Sequence, residues 1–206
     1  MSRYRGPKIR ILKRLGSLPG FGLSINQKFK QLPLNINIKN GKTKKKKKSS
    51  DYFTVRLQEK QKLRYHYGLT EKNLTQYVIK ARKKKTPTGK TLLNILEMRL
   101  DNIIFRIGFA PTLASARQLI THGHILLNEK RINIPSYQCN INDLITLSDS
   151  ITTKKKFAKI SQLPKTFFLS LDTNNLIGKV QKYASRQDVG LNINELLVIE
   201  YYSRAL

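Results

Sequence analysis

Met98-Arg-Leu-Asp-Asn-Ile-Ile-Phe-Arg-Ile-Gly108, then Pro111-Thr-Leu-Ala-Ser-Ala-Arg-Gln-Leu-Ile-Thr-His-Gly-His-Ile-Leu-Leu-Asn128, is the stretch that decides the fold. Its first part continues an apolar pattern begun upstream. Leu92, Leu93, Ile95, Leu96, Leu100, Ile103, Ile104 and Ile107 recur at helical spacing and cover a wide face. One well-buried helix is therefore expected from Leu92 to Ile107. Gly108 stands where a left-handed C-terminal cap belongs. Pro111 and Thr112 open a shorter helix, with Leu113, Ala116, Leu119 and Ile120 facing inward and Gly123 closing it. The period then changes to two. His124 to Leu127 and Arg131 to Ile134 are expected as strands around an Asn128-Glu129-Lys130 turn, with Leu144 to Leu147 as another. Helices followed by a small sheet make a compact α+β module.

Upstream the chain is different in kind. Arg3 to Arg14 is rich in basic residues and interrupted by Gly6 and Pro7, with Gly16 just beyond, and reads as an extended arm. Ser17 to Phe21 is turn-like. Lys39 to Ser50 is a low-complexity segment containing five consecutive lysines, expected to be disordered by self-repulsion when it has no partner. Arg56 to Tyr67 reads as a helix ended by Gly68, and Thr70 as the N-cap of the next. Leu74, Tyr77, Val78 and Ala81 give that helix one apolar stripe, and Lys80 with Arg82 to Lys85 places cations at its C-terminal end, where the helix dipole favours them. Thr86-Pro-Thr-Gly89 is expected to be a hinge. Downstream, a strand at Phe167 to Leu171 and a helix at Ile193 to Tyr202 finish the pattern.

Charge divides the chain along the same line. Residues 1–96 hold 26 Lys and Arg against three acids, a surplus of +23 out of a total of +28. Residues 97–150 are neutral, with five of each sign, and residues 151–206 carry +5. Such a surplus calls for a large polyanion, and nucleic acid supplies one through phosphate contacts to Lys and Arg. Lys outnumbers Arg 27 to 13 although Arg is the better bidentate phosphate ligand, and Ile and Asn are also abundant at 21 and 15. That bias looks like AT-rich codon usage, as in an organelle or a low-GC bacterium.

Other function classes find little support. Cys139 is the single cysteine, so no intramolecular disulfide forms, and with three histidines in the whole chain no metal site is expected. No cofactor is expected either. No apolar run approaches the ~18 residues of a membrane span, and the N-terminus lacks the apolar core of a signal peptide. Thr88-Gly-Lys-Thr91 mimics the end of a P-loop, but the earlier glycine position is Lys84 and no apolar strand precedes it. Asn73-Leu-Thr75 matches a glycosylation acceptor in a chain with no sign of secretion. No nucleophile–base pair or catalytic carboxylate pair is visible, so the chain is not expected to be an enzyme.

Arg117, Gln118, His122, His124, Asn128 and Lys130 gather around the short helix and the turn after it, opposite the apolar side. Together they point to RNA contact, although a lone helix-face Arg is more often a solvated charge. Arg99 and Asp101 can equally be a structural salt bridge. Cys139 reads as a small core residue.

Arg99-Leu-Asp101-Asn102, Arg106-x-Gly108, Thr112, Ala116-Arg-Gln118, His122-Gly-His124, Asn128 and Ile134-Pro-Ser136 closely resemble the S-four RNA-binding domain. The resemblance extends further. Arg3-Tyr-Arg-Gly-Pro-Lys8, Ser50-Asp-Tyr52, Gln58-Glu-Lys-Gln-Lys62, Tyr67-Gly-Leu69, Thr88-Gly89 and Asn192-Ile-Asn-Glu-Leu-Leu-Val-Ile-Glu-Tyr-Tyr-Ser-Arg204 are similar to small-subunit ribosomal protein four, the universal S-four family. Leu96-Glu-Met-Arg-Leu-Asp-Asn102 and Glu200-Tyr-Tyr-Ser-Arg204 look like its plastid branch. Some members carry an N-terminal zinc-binding cysteine cluster, but here no cysteine precedes Cys139. Residues 20–49 and 161–182 depart most from the family pattern.

The resemblance implies an α+β fold in which a mostly helical basic domain carries an inserted S-four module, a helix-loop-helix with a small antiparallel sheet. The expected division is residues 1–91, 92–171 and 172–206, with the closing helix packing back on the N-terminal domain. It implies primary binding to small-subunit rRNA, nucleating assembly of the subunit body, and a contribution to the messenger RNA entry channel and to translational accuracy. Ribosomal proteins three and five of the small subunit are the implied neighbours, with no membrane and no small-molecule substrate. The implied compartment is the plastid (chloroplast) stroma, with bacterial cytoplasm or the mitochondrion as alternatives.

The expected rRNA-binding set has several parts. The arm contributes Arg3, Tyr4, Arg5, Lys8, Arg10 and Arg14. The helical basic part contributes Tyr52, Arg56, Lys60, Lys62 and Arg64, then Lys80, Arg82, Lys83, Lys84 and Lys85. The module contributes Arg99, Arg106, Arg117, Gln118 and His122, then His124, Asn128, Lys130, Ser136 and Tyr137. Lys44, Lys45, Lys46, Lys47 and Lys48 are expected at the messenger entry, because a flexible polycation suits a moving strand. Two rival readings are an S-four module serving an RNA-modifying enzyme and a nonspecific nucleic-acid binder. The first lacks room for a catalytic domain and is tested by activity on uridine-containing RNA. The second is tested by competition between rRNA fragments and duplex DNA.

Overall fold

Pro7 and Gly16, which look like breakers of an extended arm, instead bracket a helix in the computed structural model, which describes residue 4 and residues 6–22, 52–148, 168–172 and 176–203. Helix α1 (Lys8–Leu15) begins after Pro7, whose missing N–H is no loss at a helix start, and ends at Gly16, φ 87°. It buries Leu12 and Leu15, so the expectation of an extended arm is corrected from Lys8 onward. Arg3, Arg5 and the lysines at 44–48 lie outside the described residues.

Helix α2 (Tyr52–His66) starts earlier than expected and stops at Gly68, whose φ of 57° suits glycine. Helix α3 (Glu71–Arg82) is capped as read: the Thr70 hydroxyl accepts from the Asn73 amide at 3.3 Å. Leu74, Val78 and Ala81 are fully buried and Tyr77 half-buried.

The expected single helix from Leu92 to Ile107 is two. Helix α4 (Thr88–Glu97) stops at Met98, Arg99 is extended at φ −72°, ψ 139°, and helix α5 (Leu100–Ile107) begins afresh. Thr88 and Gly89 therefore lie inside α4 rather than in a hinge. The break has a local cause. The amides of Leu100 and Asp101 donate to the carbonyls of Tyr137 and Pro135, and the Cys139 amide donates to the Met98 carbonyl. The 135–139 loop thus satisfies the orphan amides of the new helix start, which has no side-chain cap. Gly108, φ 96°, closes α5 as expected.

Helix α6 (Leu113–Thr121) is capped by Thr112, which accepts from the Ser115 amide at 3.1 Å. Strands β1 (Ile125–Leu127) and β2 (Lys130–Arg131) flank a two-residue turn, Asn128 and Glu129, both at positive φ (49° and 66°), so Lys130 belongs to the strand. Strand β3 (Leu144–Leu147) lies where it was read, and β4 (Leu169–Asp172) nearly so. Strand β5 (Ile177–Val180) was not foreseen. The antiparallel sheet runs β2-β1-β3-β5-β4, so β5 sits inside it, between β3 and β4.

The break at Met98–Arg99 divides one apolar stripe between two cores. Leu92, Leu93 and Leu96 pack in the first, with α1, α2 and α3. Leu100, Ile103, Ile104 and Ile107 pack in the second, with α6 and the sheet. The chain then returns: helix α7 (Glu195–Ser203) lies against α2, α3 and α4, and places Val198 and Tyr202 in the first core. Ile104 is wholly buried, so Ile104→Val is expected to cost about 1 kcal/mol, read from a denaturant midpoint. No change in midpoint would mean that α5 does not carry the second core.

Candidate nucleic-acid interface

The charged groups separate into two populations. One is internal. Glu97 is fully buried and accepts from Tyr67 Oη at 2.5 Å, Asn102 Nδ2 at 2.6 Å and Arg106 Nη2 at 2.8 Å. Asp101, 1% exposed, accepts from Arg99 Nε and Nη2 at 3.0 and 2.7 Å and from Arg117 Nε at 2.8 Å. Arg117 also donates to the carbonyls of Gly68 and Tyr67 at 2.7 and 2.6 Å, and Arg99 donates to the Tyr77 hydroxyl. The network spans the seam: α2, α3 and α4 on one side, α5 and α6 on the other.

Its electrostatics follow from burial. Desolvation pulls the Arg99 guanidinium down, but Asp101 and Tyr77 more than offset it, leaving its pKa above the ordinary value. Arg106 is raised in the same way, by Glu97 against desolvation. Burial, then the Glu97 carboxylate, holds the Tyr67 phenol well above its usual range. His66 goes the other way. Burial, aided by the Arg106 charge, lowers it to about 3, so it is neutral and accepts from the Gly20 amide through Nδ1 at 3.4 Å. A depressed imidazole pKa contributes stability above the unfolded value of about 6.5 and loses it as pH falls toward 3. The protein is thus expected to lose about 2 kcal/mol between neutral pH and pH 5 through this one group, and His66→Gln to remove that loss. Equal acid sensitivity in the two proteins would assign it elsewhere.

Several sequence candidates are engaged within the fold. Arg99, Arg106 and Arg117 are interior ion-pair members rather than surface contacts, because their guanidinium groups are already engaged. Arg56 is buried against Glu200 at 2.5 Å and Lys60 against Glu71 at 2.9 Å, so these also hold the fold. Lys62 pairs with Glu59 at 2.5 Å, and Arg64 lies 3.7 Å from Glu71. The Asn128 side chain donates to Asp143 at 2.9 Å and accepts from the Leu144 amide at 2.9 Å, which fixes the turn. Ser136 and Tyr137 belong to the loop that caps α5.

The second population faces outward, in three places. On α1, Arg10 and Arg14 are exposed, and Lys8 lies 5.3 Å from the centre of the Phe21 ring. Tyr4, Phe21 and Tyr65 form an aromatic group there, with centroids 5.5 to 6.2 Å apart. Past the end of α3, Lys83, Lys84 and Lys85 are all exposed, as are Lys80 and Arg82 in its last turn. On the module, Gln118 of α6, His122 at its C-terminal cap and half-buried His124 line a small cavity of about 100 Å³ with Ser115 and Leu119; the two imidazoles are 6.0 Å apart. Lys130 projects from β2, and Tyr52 is 84% exposed at the start of α2. The sequence reading missed Ser115, which shares the Gln118 face, and exposed Lys179, hidden in the unforeseen β5.

The family model described as "Ribosomal protein S4/S9 N-terminal domain" matches residues 3–97, and that described as "S4 domain" matches residues 98–145. The small ribosomal subunit protein uS4c of Chaetosphaeridium globosum is 50% identical over 213 residues, covering 99% of each chain. That of Prototheca wickerhamii is 50% identical over 210 residues, with all of both chains covered, and that of Cyanophora paradoxa is 46% identical over 210, covering 99% of this chain and 100% of its own. The chain belongs to the ribosomal protein S4 family. In this S4-family chain the two matched regions abut at Glu97 and Met98, between the last residue of α4 and the helix break. The seam found in the packing is thus the seam between the family's two domains, six residues later than the expected boundary at 91/92. Among the described residues no group of three or more His, Cys, Asp or Glu is placed to hold a metal ion.

Proposed function

We propose that this chain is a structural component of the small subunit of a plastid ribosome, binding small-subunit rRNA directly. The observation that carries the reading is the end-to-end match, at about half identity, to proteins named uS4c. The surface chemistry supports it. The exposed cations of α1, the α3 end and β2 neutralise phosphate, while Gln118 of α6 and His122 and His124 just beyond it are hydrogen-bonding groups. A-form RNA hides its major groove, so phosphate contact and shape recognition suffice and no catalysis is required.

The finer assignments belong to the same proposal. The protein works in the plastid stroma, meets ribosomal proteins three and five, and offers the 44–48 lysines to messenger RNA at the entry channel. Gradient sedimentation of lysates from purified plastids tests the reading. The chain is expected in the small-subunit fraction at low salt and bound to naked rRNA in preference to duplex DNA. Equal affinity for the two nucleic acids would favour the nonspecific binder.

A further inference from the structure

We propose that a cleft at the seam, walled by the end of α3, by α4 and by the 138–140 loop, holds one unstacked nucleotide of the RNA that this chain binds, a proposal that rests on the RNA-binding reading above. The cleft has a volume of about 460 Å³, within the range of roughly 300–1,000 Å³ usual for small-ligand sites. Its lining sorts by chemistry. Lys80, Lys83 and Lys84 stand on one rim, exposed and without an acidic partner among the described residues, and no described carboxylate lines the cleft. Ile95, Met98 and Cys139 give it an apolar floor.

Tyr183, 52% exposed, presents a large ring to the cleft. Tyr77 lies at the wall with its hydroxyl held by Arg99 and the guanidinium 5.6 Å from its ring centre, so that ring is fixed in place. The amides of Asn94, Gln138 and Asn140 complete the lining, and the Asn94 Oδ1 is buried with no hydrogen-bond partner. An unsatisfied buried acceptor is costly, and a ring N–H or exocyclic amine reached by a small turn of that side chain would satisfy it. An aromatic face, base-edge amides and a rim of ammonium groups are the three things a splayed-out nucleotide needs for its base, its edge and its phosphate.

The experiment uses the full chain and the rRNA fragment it protects, probed for base reactivity nucleotide by nucleotide. Wild type is expected to protect one or two unpaired nucleotides within a larger footprint. Tyr183→Ala should expose those nucleotides alone and weaken binding roughly tenfold, by loss of one base–aromatic stack. Tyr183→Phe should keep both. Gln138→Ala, at another exposed position of the lining, should expose the same nucleotides with an unchanged melting temperature. An unaltered footprint with affinity within twofold in both alanine variants overturns the proposal while leaving RNA binding intact. Absence of wild-type binding at low salt overturns the RNA-binding reading itself.

Discussion

Asp101→Ala is expected to remove about 3–5 kcal/mol of folding stability, more than any single apolar truncation proposed here. The magnitude comes from what stays behind. Asp101 is the carboxylate to which both Arg99 and Arg117 are paired, and all three side chains are at most 9% exposed. Without it, two guanidinium groups remain in a nearly dry seam with neutral acceptors only. An ion pair on the surface is worth a fraction of this, because water screens it. Asp101→Asn keeps the shape and removes only the charge, so it should retain most of the loss. Chemical denaturation with far-ultraviolet dichroism reads the effect. A loss under 1 kcal/mol in both variants would mean that water, rather than Asp101, neutralises the seam arginines.

RNA affinity should fall about ten-thousand-fold when salt is raised fourfold. The basis is the surplus of +23 in residues 1–96, some of it now accounted for. Arg56 and Lys60 are spent on Glu200 and Glu71, which removes them from phosphate binding. The α1 and α3-end cations remain exposed. If eight such charges each neutralise a phosphate, counterion release gives a log–log slope of roughly −6 to −7. Filter binding across a salt series measures it. A slope near −1 would shift the source of affinity from the basic half to the neutral module.

What could be read from the sequence was whatever has a local cause. Thr70 and Thr112 cap helices because a short hydroxyl reaches an amide three residues on, and Gly108 caps one because it alone tolerates positive φ without cost. Each of these acts within one turn of chain. The break at Met98 was invisible because no glycine or proline marks it and the apolar spacing runs straight through. Its cause, the carbonyls of residues 135 and 137, lies more than thirty residues away. Pro7 and Gly16 were misread for a related reason: a breaker and a boundary are the same residue until the buried face between them, Leu12 and Leu15, is known. The candidate interface divides along the same line. Sequence gives the sign of a charge but seldom its partner: Asp101, two residues on, was legible as a partner for Arg99, whereas nothing local marked Arg117 as its second. Only the tertiary fold separates arginines that face an acid from cations that face solvent.

The return of α7 also has a consequence in time. A chain made from its first residue onward has the whole of the second core available, from Met98 to Val180, before α7 is complete. The first core cannot close until then, since Val198 and Tyr202 fill it and Glu200 neutralises Arg56. Until then the more basic half, first to emerge, lacks the side chains that complete its core and the carboxylate that pairs with Arg56.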